Sequence, residues 1–274
     1  MIKFIKLCLL TTIVLNIPTL QAQKKMKIVT TLNTPIMGGV DGMGLVWHPI
    51  QKKYYAAMAG NSQYYIAVYN INGKKINTPK IKDTVDFRGL WYDPNTKMLI
   101  AKMYEDNSWV SYSLNKIGVE IPQGKIYKKF DNSDKQPEKM SSGCYDKILN
   151  AVGFINSKDL SISYYTTTGT PLNYTIKLKL KNKIDEDSLR DVNEDYKPKN
   201  YNITNFALYQ ANSNEIGLVN IPNKAIEIYT RAGIYKKSLP LPDDIEPDRI
   251  YNFTYSNGMW WFYYRAESAW FGCK

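Results

Sequence analysis

The chain has one histidine, three cysteines and 25 acidic side chains in 274 residues, which limits its chemistry. One histidine, His48, excludes a His-based catalytic triad and any two-histidine metal site. It stands directly before Pro49, where a turn residue is expected rather than a ligand. Cys8 falls in the N-terminal apolar run, leaving Cys144 and Cys273. Neither has a neighbouring histidine to make it a nucleophile. The segment from Gly38 to Gly42 is glycine-rich but lacks the helix and lysine of a phosphate-binding loop. What remains is Asp41, Asp86 and Asp248. Such carboxylates can act as acid and base in a hydrolase or lactonase, or bind calcium. Whether they meet depends on the elements that carry them. No cofactor and no metal is implied.

Apolar residues at 44% and charged residues at 22% describe a folded protein. The formal charge of +11 comes from lysines scattered along the chain, not from one block. That pattern suits solubility and does not point to nucleic acid. The N-terminus carries Lys3 and Lys6, an apolar run from Leu7 to Leu15, and Gln21-Ala22-Gln23. This is the pattern of a secretory signal peptide over 1–23. The run is broken by Asn16 and Pro18 and is too short to span a bilayer. Residues 24–274 are then expected as one exported domain, periplasmic or extracellular, with no transmembrane segment. The Gln-Ala-Gln ending and the Lys/Asn/Tyr-rich body resemble exported proteins of Bacteroidetes-type bacteria.

An internal repeat sets out the carrying elements. Gly44-Leu45-Val46-Trp47-His48-Pro49 returns 45 residues later as Gly89-Leu90-Trp91-Tyr92-Asp93-Pro94. Each copy continues with an apolar strand, a polar turn, an alternating strand and a turn glycine, Gly73 or Gly118. Three further copies begin at Gly143, Phe206 and Phe253. Four short strands per unit cannot bury both faces of their sheet alone, and packing such sheets around an axis does. The reading is an all-β propeller of five blades, with six as the alternative. The last copy stops one strand short, and Lys27–Leu32 is the expected donor that closes it. Tyr174–Leu180 is expected to close the third copy. The acidic stretch Ile184–Asp195 is left as a short helix or loop.

The unit resembles the NHL and YVTN-type propeller families, whose repeats share the G-L-x-[WY]-[DH]-P opening. The resemblance implies architecture and says little of function. In such a ring, the loops entering each innermost strand share one end with the loops between strands two and three. Those loops hold the candidate ligand-binding residues Asp41, Asp86, Arg88, Asn205, Asp248 and Arg249, with Trp109 bordering them. A non-catalytic propeller binding a protein, peptide or glycan is expected, either as a monomer or as a subunit of an envelope complex. The alternative is the carboxylate hydrolase or lactonase, with or without calcium. Cys144 and Cys273 fall on blades that are not neighbours, so two unpaired thiols are expected, with Cys144 buried.

Overall fold

The computed structural model describes residues 25–34, 41–59, 66–77, 86–131, 135–180, 200–209, 214–247, 250 and 253–274. The leader expected over 1–23 and the acidic stretch 184–195 lie outside them. The fold is all-β and forms a five-bladed propeller. Blade one holds β2 (Asp41–His48), β3 (Lys53–Ala59) and β4 (Ala67–Tyr69). Blade two holds β5 (Phe87–Asp93), β6 (Met98–Met103), β7 (Trp109–Tyr112) and β8 (Lys125–Lys128). Blade three holds β9 (Cys144–Asp146), β10 (Ala151–Ile155), β11 (Ile162–Thr166) and β12 (Pro171–Ile176). Blade four holds β13 (Ala207–Tyr209), β14 (Glu215–Asn220), β15 (Ala225–Thr230) and β16 (Tyr235–Pro240). Blade five holds β17 (Phe253–Ser256), β18 (Met259–Tyr264) and β19 (Ala269–Cys273).

The first segment closes the ring. β1 (Ile28–Asn33) pairs antiparallel with β19, with Ile28 opposite Cys273 and Asn33 opposite Ala269. Lys27 and Lys274 exchange backbone hydrogen bonds of 2.8 and 3.0 Å just beyond. The innermost strand of each blade faces the axis, and the strand order runs outward from it.

Two details differ from the repeat. Among the described residues blade one has three strands, followed by the bridge between Tyr69 and Lys75. Blade three closes with Pro171–Ile176, not with Tyr174–Leu180. Past Ile176 the chain leaves its own sheet, and Lys179 pairs in parallel with Ile234 of blade four.

The core lies between blades, which explains why many strands read as continuous apolar runs. In β3, Tyr54 and Ala56 pack with Trp261 and Trp270 of blade five. The intervening Tyr55 and Ala57 pack with Leu99 and Val110 of blade two. Successive side chains point to opposite faces, and here both faces are covered. Each large side chain so buried contributes on the order of 2 kcal/mol.

The repeat's opening glycine has a steric reason. A β-carbon on Gly44 would lie 2.5 Å from Leu90 N, and one on Gly89 would lie 2.8 Å from Gly143 N. Innermost strands approach each other that closely around the axis.

Candidate functional site

The entry loops and the loops between second and third strands form one end of the ring, here called the upper end. Asp41 opens β2 there. Its carboxylate takes both Nε and Nη2 of Arg265, each at 2.6 Å, from the β18–β19 loop of blade five. This fork-to-fork pair joins the first and last blades. Asp86 precedes β5 and accepts from Arg88 Nη1 at 2.6 Å. Arg88 is nearly buried, donates to Phe87 O, and lies with Cζ 4.4 Å from the centre of the Tyr104 ring. Lys139 covers the same ring at 4.2 Å. Tyr104 is therefore held by two cations.

Behind this pair lies Lys102 of β6, fully buried. Its ammonium donates to Asn107 Oδ1 at 3.0 Å, Glu138 O at 3.0 Å and Lys139 O at 2.7 Å. Burial, then repulsion from Arg88, pushes its pKa down to about 7. Glu138 accepts from the backbone N–H and hydroxyl of Ser157 in blade three. Lys102 and Glu138 thus fasten the segment after β8 across the seam of blades two and three. Arg88 Nε and the hydroxyls of Ser108 and Ser141 are enclosed here without a hydrogen-bond partner. A second cavity of about 260 Å³ opens beside the segment, between Gln136, Glu138 and Lys158 and the floor of Phe154 and Tyr165.

Asn205 lies on the axis. Its amide donates to Phe253 O, and its backbone N–H donates to Asn202 Oδ1 at 2.9 Å. It lines an axial cavity of about 110 Å³ with Ser142, Cys144, Tyr145 and Ser256. That volume holds several waters.

The expected site is therefore brought together in part. Asp41, Asp86, Arg88 and Asn205 lie at or just below the upper end, each already bonded to a neighbour. Asp248 and Arg249 lie outside the described residues. Trp109 does not border the surface. It is fully buried, edge-on to Trp91 at 5.1 Å and to Phe130 at 5.8 Å. The reason is its place on β7, where Phe130 covers the face that a surface ring would have exposed. Lys102, Tyr104 and Lys139 were not anticipated as members of the site. The available signal was a lysine inside the apolar run Met98–Met103.

His48 behaves as a turn residue. Its Nδ1 accepts from Gln51 N at 3.2 Å, as Asp93 Oδ1 accepts from Asn95 N at 3.0 Å one blade on. Burial lowers its pKa. Cys144 and Cys273 are unpaired. Cys144 is half-buried rather than buried, and burial pushes both thiols up to about 12. Among the described residues no cluster of three metal-ligating side chains occurs, and no helix is long and apolar enough to cross a membrane.

Neither a protein-family model nor a curated relative matches the sequence. The chain is similar in structure to glutaminyl cyclase of Myxococcus xanthus, at 10% identity and TM-score 0.58, covering 91% of this chain and 95% of that one. It is also similar to virginiamycin B lyase from Staphylococcus aureus, at 17% identity and TM-score 0.42, covering 87% and 67%. The likeness to the cyclase is one of fold, and the resemblance to propeller repeats holds at that level.

Proposed function

We propose that the chain is exported and serves in the cell envelope as a non-catalytic propeller. It binds a protein, peptide or glycan through its upper end, alone or as a subunit of an outer-membrane or export complex. One observation carries this reading. The two described carboxylates of the entry loops, Asp41 and Asp86, are each committed to an arginine. An acid–base pair needs carboxylate oxygens open to a substrate, and here both oxygens of Asp41 and one of Asp86 are taken by guanidinium hydrogen bonds. What this leaves is a polar, partly aromatic surface around Tyr104, Lys139 and Arg265, which suits recognition.

Capture on immobilised protein tests it, with envelope extract and a glycan array as prey. The expected result is a bound partner that is lost in Lys139→Glu and Arg265→Glu but kept in Lys237→Glu, a change on blade four's outer strand. No binder, or a binder indifferent to both upper-end changes, overturns it. The hydrolase or lactonase reading keeps one observation in its favour, the unpartnered Arg88 Nε beside buried Lys102. An ester, lactone or glycoside turned over by the wild type and lost in Asp86→Asn would establish that reading instead.

A further inference from the structure

The lower end of the ring is built from the loops between first and second strands and between third and fourth strands. Hydrogen bonds tie neighbouring loops into one surface. Gln51 Nε2 donates to Asn115 O at 3.1 Å, Tyr55 OH to Gly118 O at 2.6 Å, and Asn95 Nδ2 to Asn150 Oδ1 at 2.7 Å.

Three blades there present an exposed isoleucine beside an exposed lysine at a loop tip. Ile50 is 60% exposed with Lys52 in blade one. Ile117 is 68% exposed with Lys116 in blade two. Ile148 is 48% exposed with Lys147 in blade three. Isoleucine has no role in forming a turn, where Gly, Asn, Asp, Ser and Pro serve. None of the three lysines forms an ion pair among the described residues. The aspartates of these loops, Asp93 and Asp146, are fully buried in turn hydrogen bonds. Glu120 is the one exposed carboxylate on these loops among the described residues.

The upper end contrasts with this. Its loops between second and third strands carry exposed acids at Glu105, Asp106, Asp159 and Glu267 beside exposed Lys158, and among the described residues its exposed large apolar side chain is Ile250 of an entry loop, at 38%.

We propose that the lower end docks on an anionic lipid surface, its isoleucines entering the headgroup layer while the adjacent lysines meet lipid phosphates. The pattern selects this partner. A protein interface favours a contiguous apolar core with aromatics and arginine, and is poor in lysine. A nucleic acid rewards lysine but not separate isoleucine tips. A fluid bilayer accepts separate apolar tips and draws lysines to its phosphates. The surface lies opposite the candidate site, so this inference stands whatever binds there.

Vesicle co-sedimentation tests it, comparing phosphatidylcholine alone with phosphatidylcholine containing about a third phosphatidylglycerol. Wild type and variants are purified in the same form, so any contribution of residues 1–23 is common to all. Wild type is expected to partition onto the anionic vesicles only, and to be released by high salt. Each lysine near such a surface is worth on the order of five-fold in partitioning, so the triple change Lys52→Ala, Lys116→Ala, Lys147→Ala lowers it about 100-fold. The triple change Ile50→Ser, Ile117→Ser, Ile148→Ser weakens it too while leaving charge intact. All six positions are exposed, and circular dichroism serves as the check that both variants fold. Equal binding to both vesicle types, or binding untouched by the isoleucine changes, overturns the proposal. The latter result would mark a general polyanion surface.

Discussion

Lys102 offers a test of how the segment after β8 is fastened to the ring. The perturbation is Lys102→Met, which keeps the length of the side chain and removes its titration. In the folded chain its pKa is pushed from 10.5 down to about 7, by burial first and then by Arg88, with Glu138 opposing. Between pH 7 and pH 9 the unfolded chain therefore holds a proton that the folded chain releases. The state with fewer protons gains as pH rises, so stability increases across this window. Because the folded amine is already half deprotonated at pH 7, the two pH units add about 2.3 kcal/mol. That gain is roughly 0.8 M in the urea midpoint at a slope of about 3 kcal/mol/M. Cys144 and Cys273 oppose it near pH 9, since both thiols stay protonated when folded. They do so equally in both proteins, so the readout is the difference. Urea midpoints of wild type and Lys102→Met, measured from pH 6.5 to 9, should converge or cross as wild type gains. Parallel curves would refute the account of Lys102.

Two further perturbations probe the ring itself. Gly233 and Gly258 share nearly the same backbone, with φ +75° and +74°, yet a β-carbon on Gly233 would lie 2.0 Å from Lys177 O while Gly258 has open space. Gly258→Ala is expected to cost about 1 kcal/mol and Gly233→Ala at least about 3 kcal/mol in urea unfolding, and equal losses would refute a tight seam between blades three and four. Deleting residues 24–33 removes β1 and leaves β19 as an open edge. Concentration-dependent association and a broadened melt are expected by size exclusion and calorimetry, whereas a monomer with the wild-type midpoint would refute closure by β1.

The ring was legible because its determinants are local and recur. The opening glycine marks close approach at the axis. The apolar run of β3 reports two buried faces. The orphan segment Lys27–Leu32 meets a last repeat that stops one strand short. The site was legible only in part, because what completes it is distant in sequence. Asp41 meets Arg265 across 224 positions, and Lys102 meets backbone carbonyls 36 and 37 positions away. A carbonyl has no residue type, so no pattern could announce that the polar segment after β8 would neutralise a buried lysine. Trp109 was misplaced for a related reason. The strand position was right, but Phe130 folds back over the face that was taken as open.

The same repetition redistributes charge. Along the sequence the lysines look scattered, and that reading favours mere solubility. In the ring, the first-to-second-strand turns of blades one, two and three fall at one end, so Lys52, Lys97 and Lys147, each on such a turn, gather there. The acids that share those turns are drawn inward, because Asp93 and Asp146 accept the backbone N–H groups that close them. Asp146 also takes Arg231 of the next blade. A turn that buries its carboxylate and exposes its lysine, present in blades two and three and joined by Lys52 beside His48 in blade one, adds cations to one end without any cationic run in the sequence. At the upper end Arg265, Arg88 and Lys102 turn to Asp41, Asp86 and the carbonyls of Glu138 and Lys139, while exposed Lys139 and Lys158 stand among the acids Glu105, Asp106 and Asp159. The basic surplus of the chain thus has a direction, set by which turns recur and not by where lysines cluster.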